Sequence, residues 1–162
     1  KVYVVEMWAI WCGPCIKSMP HVSEIQKKYK DQGLTVIGVN IWDDSDEAKI
    51  KSFVDKQGDN MAYTVAIDDT SAGNKKSGVM AKTWMTAAGR NGIPSAFIVD
   101  KEGKIAWMGH PIEMDEPLAK VLGKAADMKE PAKDQKNNDD KKDDKKKDDK
   151  KKDAPKFKPS GG

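Results

Sequence analysis

Strand-like and helix-like periods alternate through most of this 162-residue chain, and they close on a strand-turn-strand pair. That order predicts an α/β sandwich, a mixed central sheet flanked by helices. Three segments carry the prediction. "VYVVEMWAI" (2–10) is a continuous apolar run rich in β-branched and aromatic residues, as in a strand covered on both faces. Directly after it, Cys15, Met19, Val22, Ile25 and Tyr29 recur at helical spacing. Near the end of the pattern, "IPSAFIVD", the turn "KEG" and "KIAWMG" read as a β-hairpin.

The elements follow in order. The first helix is expected from Pro14 to about Lys30, because a proline suits a first turn whose N–H groups have no partner. Pro20, inside it, is expected to kink it. Gly33 stops the helix, and "LTVIGVNI" (34–41) reads as a second buried strand. In "DDSDEAKIKSFVDKQG" Ser45 is a candidate cap, with Ile50, Phe53 and Val54 as the apolar face of a second helix. "YTVAID" is a third strand, and "SGVMAKTWMTAAG" a short helix with Val79, Met80, Trp84 and Ala87 or Ala88 inward. After the hairpin a last helix starts near Asp115, carries Pro117 in its first turn and buries Leu118, Val121 and Leu122. Trp42, Trp84 and Trp107 read as core or edge packing.

Charge divides the chain into a domain over 1–128 and a tail over 129–162. Residues 129–158 hold 13 Lys and 9 Asp/Glu in blocks such as "DDKKDDKKKDDKKKD", with Phe157 the only large apolar side chain. Such a segment buries too little surface to offset its chain entropy, so a disordered tail is expected. Of the chain's 29 basic and 26 acidic residues, the rest keeps 16 and 17, a nearly neutral body of ordinary domain size. The interleaved signs of the tail make a poor nucleic-acid clamp. No run approaches the roughly 18 apolar residues of a membrane helix. The chain opens already inside a strand, which suggests that a segment upstream has been removed, and any export signal with it.

Both cysteines lie in "WCGPC" (11–15). Cys12 falls between the first strand and the N-terminus of the first helix, where free N–H groups and the helix dipole favour a thiolate. Cys15 lies one turn further in. Cys12 is therefore the candidate nucleophile. A disulfide between them closes too small a loop to act as a staple on the unfolded chain. A zinc site needs about four ligands, and the chain has only two Cys and two His. His21 falls on the opposite side of the helix from Cys12. His110, at the end of the last strand, keeps open a copper-binding alternative with Cys12 and Cys15.

"EMWAIWCGPC" combined with "NGIPSAFIVD" resembles the thioredoxin superfamily. The long interval from Cys15 to Pro94, with room for an extra strand and helix at 61–89, is similar to the TlpA/ResA-like branch of extracytoplasmic thiol–disulfide oxidoreductases. The resemblance covers about residues 1–123. It implies that Pro94 follows a cis bond facing the disulfide, and that Ile93 and Pro94, with Trp11, Gly13 and Pro14, meet an extended substrate segment. It also matches Glu6, six residues before Cys12, to a buried acid that exchanges a proton with the second cysteine; desolvation should raise its pKa. Trp8 is expected in the core, and Pro20 matches the family's kinked helix. Such proteins usually carry another strand or hairpin before the first strand seen here, which suggests an uncovered sheet edge.

The expected function is dithiol–disulfide exchange with Cys12, Cys15 and Glu6 as catalytic residues. Gly13-Pro14 is the dipeptide of reducing thioredoxin, at about −270 mV against about −120 mV for a strong oxidant, which favours a reductant. No nicotinamide, flavin or phosphate motif occurs, so no cofactor is expected and electrons would come from another protein. The expected partners are disulfide-bearing proteins and an upstream donor, with no nucleic acid. The chain would be a monomer in the bacterial periplasm or cell envelope. A non-catalytic interaction domain with a vestigial cysteine pair is the remaining alternative.

Overall fold

The computed structural model describes residues 1–71 and 77–123, and the Lys/Asp-rich tail expected over 129–162 lies outside them. Five strands form one mixed sheet: β1 (Tyr3–Trp8), β2 (Thr35–Asn40), β3 (Thr64–Ile67), β4 (Ser95–Val99) and β5 (Ile105–Gly109). Their order is β3-β2-β1-β4-β5. β1 pairs parallel with β2 and antiparallel with β4, β2 pairs parallel with β3, and β4 and β5 form the hairpin. The central strand is thus the apolar run that opens the chain, and from Val4 to Trp8 every residue is buried.

Side chains alternate along β1, so its two faces build separate cores. Val4, with Val36 and Ile98 beside it, packs under Val22, Ile25 and Tyr29 of α1 (Gly13–Tyr29) and Leu118 of α3 (Asp115–Val121). Further along the same face, Trp8 joins Cys12, Cys15 and Met19, and stacks on Phe53 of α2 (Glu47–Gln57) at 5.7 Å between ring centroids. On the opposite face Val5, Met7, Val39, Ile41 and Phe97 pack against Met85. Trp84 meets Phe97 edge-on at 5.4 Å.

α1 begins one residue before Pro14 and runs through Pro20 to Tyr29. Its expected inward residues are all buried. A short 3₁₀ turn follows, and Gly33 ends it at φ +85°, a conformation glycine adopts without strain. The extra strand and helix expected over 61–89 are present as β3 and a π-helical turn at Ala81–Thr86.

Three expectations of detail are corrected. The cap of α2 is Asp46, which accepts the Lys49 N–H at 2.8 Å, while the Ser45 N–H donates to Asp43. In the 79–89 helix the expected Met80, Trp84 and Ala88 pack half-buried against the core, Ala81 and Met85 are fully covered beside them, and Val79 is exposed, as is Ala87. The winding is wide, as the Ala87 N–H to Lys82 bond and the Arg90 N–H to Met85 bond show. In α3 the fully covered residues are Leu118 and Ala119, while Val121 and Leu122 pack at the margin.

This turn is held from a distance by Asp68, at the end of β3. The buried Asp68 carboxylate accepts the N–H of Met80 at 2.7 Å and of Ala81 at 3.0 Å, two donors with no partner inside the turn. Asp68→Ala should lower unfolding free energy by about 1–2 kcal/mol, and Asp68→Asn by less, because the amide oxygen still accepts. Urea unfolding of the three proteins checks the ranking.

Candidate active site

Cys12 and Cys15 are joined by a disulfide across the first turn of α1. β1 ends at Trp8, and the Cys12 N–H returns to the Ala9 carbonyl at 3.1 Å, which turns the chain into the helix. Cys12 is the helix cap: the Cys15 N–H donates to its Sγ at 3.2 Å. A group capping a helix N-terminus feels the unpaired N–H dipoles, which favour negative charge there. Cys15 is fully covered and Cys12 exposes 3% of its surface. The flanking Trp11, Gly13 and Pro14 are exposed, so Cys12 is the sulfur nearer to solvent.

The second half of the site comes from the start of β4. The Ile93-Pro94 bond is cis, and the Ile93 carbonyl oxygen lies 3.6 Å from Cys12 Sγ. The Ser95 hydroxyl accepts the Arg90 Nε–H at 3.0 Å and donates to the Gly92 carbonyl at 2.8 Å, tying down the loop that presents Ile93. Cys12 and Ile93, 81 positions apart, are thereby brought to one edge by the β1–β4 pairing, in which Met7 faces Ser95.

Asp43 braces the same edge. It accepts the Ile10 N–H at 2.8 Å, the Asn40 amide at 3.1 Å and the Ser45 N–H at 3.0 Å, joining the loops that leave β1 and β2. Burial alone would push the Asp43 carboxyl up; these hydrogen bonds overrule it and hold it below the usual carboxylate range. Trp11 stands 61% exposed, its indole N–H donating to the Trp42 carbonyl at 3.0 Å. Trp42 itself sits at φ +54°. A groove of about 560 Å³ runs beside the two tryptophans, lined also by Thr86, Gly89, Arg90 and Asn91.

Glu6 is wholly buried on β1, with its pKa pushed up to about 8 by desolvation. It lies two residues from Trp8 and so on the face that carries both cysteines. His110, the third member of the copper alternative, caps the turn at Pro111–Glu113, its Nδ1 accepting the Ile112 N–H at 3.3 Å. No group of three or more His, Cys, Asp or Glu side chains suited to a metal gathers among the described residues. His21 is on the far side of α1, its Nε2 2.7 Å from Asp115.

Sequence reasoning did not single out Asp43, Asn40, Arg90, Ser95 or Tyr63. The one local signal for Asp43 is "WDDS", a run of turn-forming residues at a strand end, where a side chain accepts nearby N–H groups. Asn40, Arg90 and Ser95 find partners three to five residues away through the path of their loops, which no motif announces.

Comparison with known proteins agrees with this geometry. The Redoxin family matches residues 1–122. The chain is 38% identical over 124 residues to thiol-disulfide oxidoreductase ResA of Bacillus thuringiensis, covering 76% of this chain and 63% of that protein. It is 31% identical to protein FixW of Rhizobium leguminosarum, covering 75% and 54% respectively. The chain therefore spans less than two thirds of the length of these curated relatives. Among solved structures, a putative thiol:disulfide interchange protein DsbE from Chlorobium tepidum aligns with TM-score 0.61 at 26% identity, over 76% of this chain and 81% of that one. A thiol-disulfide isomerase from Corynebacterium glutamicum also aligns with TM-score 0.61, at 25% identity, over 80% and 82%. With a capped Cys-Gly-Pro-Cys disulfide, a cis-proline loop against it and this sheet order, the chain has a thioredoxin-like fold and belongs to the Redoxin family.

Proposed function

We propose that the chain is a thiol–disulfide oxidoreductase that reduces disulfides in partner proteins. The observation that carries this reading is the Cys12–Cys15 disulfide at the helix N-terminus, with the Ile93 carbonyl 3.6 Å from Cys12 Sγ. In the reduced protein the Cys12 thiolate attacks a partner disulfide. One partner sulfur leaves with the electron pair, and a mixed disulfide forms. Cys15 then passes its proton to Glu6 and attacks Cys12 Sγ, which closes the intramolecular disulfide and releases the second partner sulfur. Two electrons leave the dithiol, and an upstream dithiol protein restores them.

Glu6 suits the proton step because a pKa near 8 lets it take and return a proton close to neutral pH. Trp11, Gly13, Pro14, Ile93 and Pro94 form the surface on which an extended partner segment docks, its backbone pairing along the Ile93-Pro94 loop. Among the described residues no helix is long and apolar enough to cross a membrane. An extracytoplasmic location and a monomeric state belong to the same reading, through the branch that the motifs resemble. The domain at 1–128 carries the chemistry, and the tail at 129–162 takes no part in it.

Replacing Cys15 by Ser should leave an attacking thiol without its resolver, so partner proteins accumulate as mixed disulfides that a reductant releases. Cys12→Ser should abolish turnover and trapping together. Iodoacetamide at pH 6 to 7 should label Cys12 of the reduced protein first. Equal, slow labelling of both thiols with no trapped protein would favour the non-catalytic alternative.

Two further outcomes concern Glu6. Glu6→Gln should slow turnover by about a hundredfold near pH 8, the usual order for a lost general base, while the wild-type rate rises with pH toward that value. Burial also links Glu6 to stability. Its ordinary pKa is 4.5 and its folded value about 8. Below pH 4.5 it is neutral in both states; between these values the unfolded chain gives up the proton and the folded one keeps it. Wild-type stability should thus fall by about 1.4 kcal/mol per pH unit across the window, and Glu6→Gln should remove that slope. Urea unfolding at pH 5, 6, 7 and 8 measures both.

A further inference from the structure

The face of β1 that carries the site holds polar groups beyond the cysteines. Both carboxyl oxygens of Glu6, the indole Nε1 of Trp8 and the hydroxyl of Tyr63 are buried with no hydrogen-bond partner from the protein. Buried polar groups are almost always hydrogen-bonded, because an unmade bond leaves the desolvation of the group uncompensated.

These groups meet in one place. Glu6 and Trp8 are two residues apart on β1 and project to the same side. Glu6 stands opposite Gly38 of β2 in the parallel register. A Cβ added at Gly38 would come 2.7 Å from the Tyr63 ring and 3.2 Å from Trp8 Nε1. The phenol ring and the indole N–H therefore converge over the one position of β2 that has no side chain, directly beside Glu6. Their chemistry is complementary: Trp8 only donates, Tyr63 donates through its hydroxyl, and ionised Glu6 only accepts. Burial first, and then the charge of Glu6, push the Tyr63 phenol up, which keeps it protonated and a donor.

Few other groups on this face titrate. Cys12 and Cys15, next to Trp8, are joined in the disulfide and do not titrate, and Tyr29 of α1 lies toward the other end beside Val4. His21 is engaged with Asp115. β2 offers Val36 and Gly38, and β4 offers Ala96 and Ile98, none ionisable. Tyr63, in the connection between the turn Gly58–Met61 and β3, is the ionisable group from that side.

We infer that the Trp8 indole N–H and the Tyr63 hydroxyl are a donor pair for Glu6, joined to its carboxylate through one buried water, and that Tyr63 is a positioning residue for the proton acceptor of disulfide exchange. A water with two protein donors on one side and a carboxylate on the other satisfies all three side chains at once. The positional role rests on the oxidoreductase reading; the donor pair does not. When Glu6 ionises the donors stabilise its charge, so their loss disfavours the ionised form.

The test is a titration of the full chain in its disulfide form, following the Glu6 side-chain carbon by ¹³C NMR. Tyr63→Phe keeps the ring and removes the hydroxyl. It should raise the Glu6 midpoint by about one pH unit, so that about tenfold less Glu6 is ionised at pH 7. Tyr29→Phe, which removes a phenol elsewhere in the same core, should leave the midpoint in place. In the wild-type protein the Trp8 indole N–H resonance should shift with the same midpoint as Glu6, a measurement that requires no variant to fold. A Glu6 midpoint within about 0.2 units of wild type in Tyr63→Phe, an equal shift in Tyr29→Phe, or a Trp8 N–H indifferent to Glu6 would overturn the inference. The expected titration together with failed trapping by Cys15→Ser would overturn the proposed function and the positional role, while the donor pair would stand.

Discussion

β1 is hydrogen-bonded along both edges and covered on both faces, and the site is a consequence of that placement. Pairing with β2 and β4 satisfies its backbone, so its side chains have nowhere to go except into two cores. A carboxyl group at Glu6 is then necessarily desolvated, and a buried acid without a cation holds its proton until the pH approaches 8. The same strand ends one short turn before Cys12, so the geometry of its C-terminal end becomes the geometry of the disulfide. Asp43 extends the constraint by tying the loops after β1 and β2 together, at the carboxyl ends of two parallel strands where ligand sites of α/β sheets collect.

The two cores on either side of the sheet carry different duties. The side of α1 and α2 contains the cysteine sulfurs, Glu6 and the polar cluster over Gly38. The opposite side, with Phe97, Met85 and Trp84, has a fully buried cluster of apolar side chains only, with Tyr3 packed at its margin. Its contribution is positional: the π-helical turn, fixed by Asp68, leads into the segment that ends at Ile93 and Pro94. The inserted strand and turn thus help to shape the groove beside Trp11 as well as to widen the sheet, since Thr86, Gly89 and Arg90 follow from that turn.

Burying Glu6 has opposite effects on stability and on chemistry. Across the window between its ordinary and folded pKa values the folded state is weakened as the pH rises, because a charge gained by the unfolded chain is denied to the native one. In the proposed function the same denial supplies a carboxyl group that takes a thiol proton near neutral pH. Across that window a strand of this composition would be more stable with a neutral residue at that position.

How much of this was legible from residues alone depends on the range of the interactions involved. The strand order of elements, the inward face of α1, the hairpin and the burial of Glu6 follow from periodicity, because each reports which neighbours within a turn or a pleat share a face. Cys12 as a helix cap follows from its place between a strand and a proline. In the 79–89 helix Met80, Trp84 and Ala88 lie inward as their spacing predicts and Val79 does not, and nothing in "SGVMAKTWMTAAG" announces the π turn. Asp46 rather than Ser45 caps α2 because neighbouring residues share the same capping chemistry and only the backbone path chooses between them. Tyr63 over Gly38, Asp43 across two loops and Arg90 on Ser95 belong to a third class, in which partners meet through sheet register or loop path. The sequence by itself determined the order of elements, the apolar faces and the reactive pair. Tertiary structure decided which distant polar groups meet around that pair, because those distances are set by strand pairing and packing, which no local pattern records.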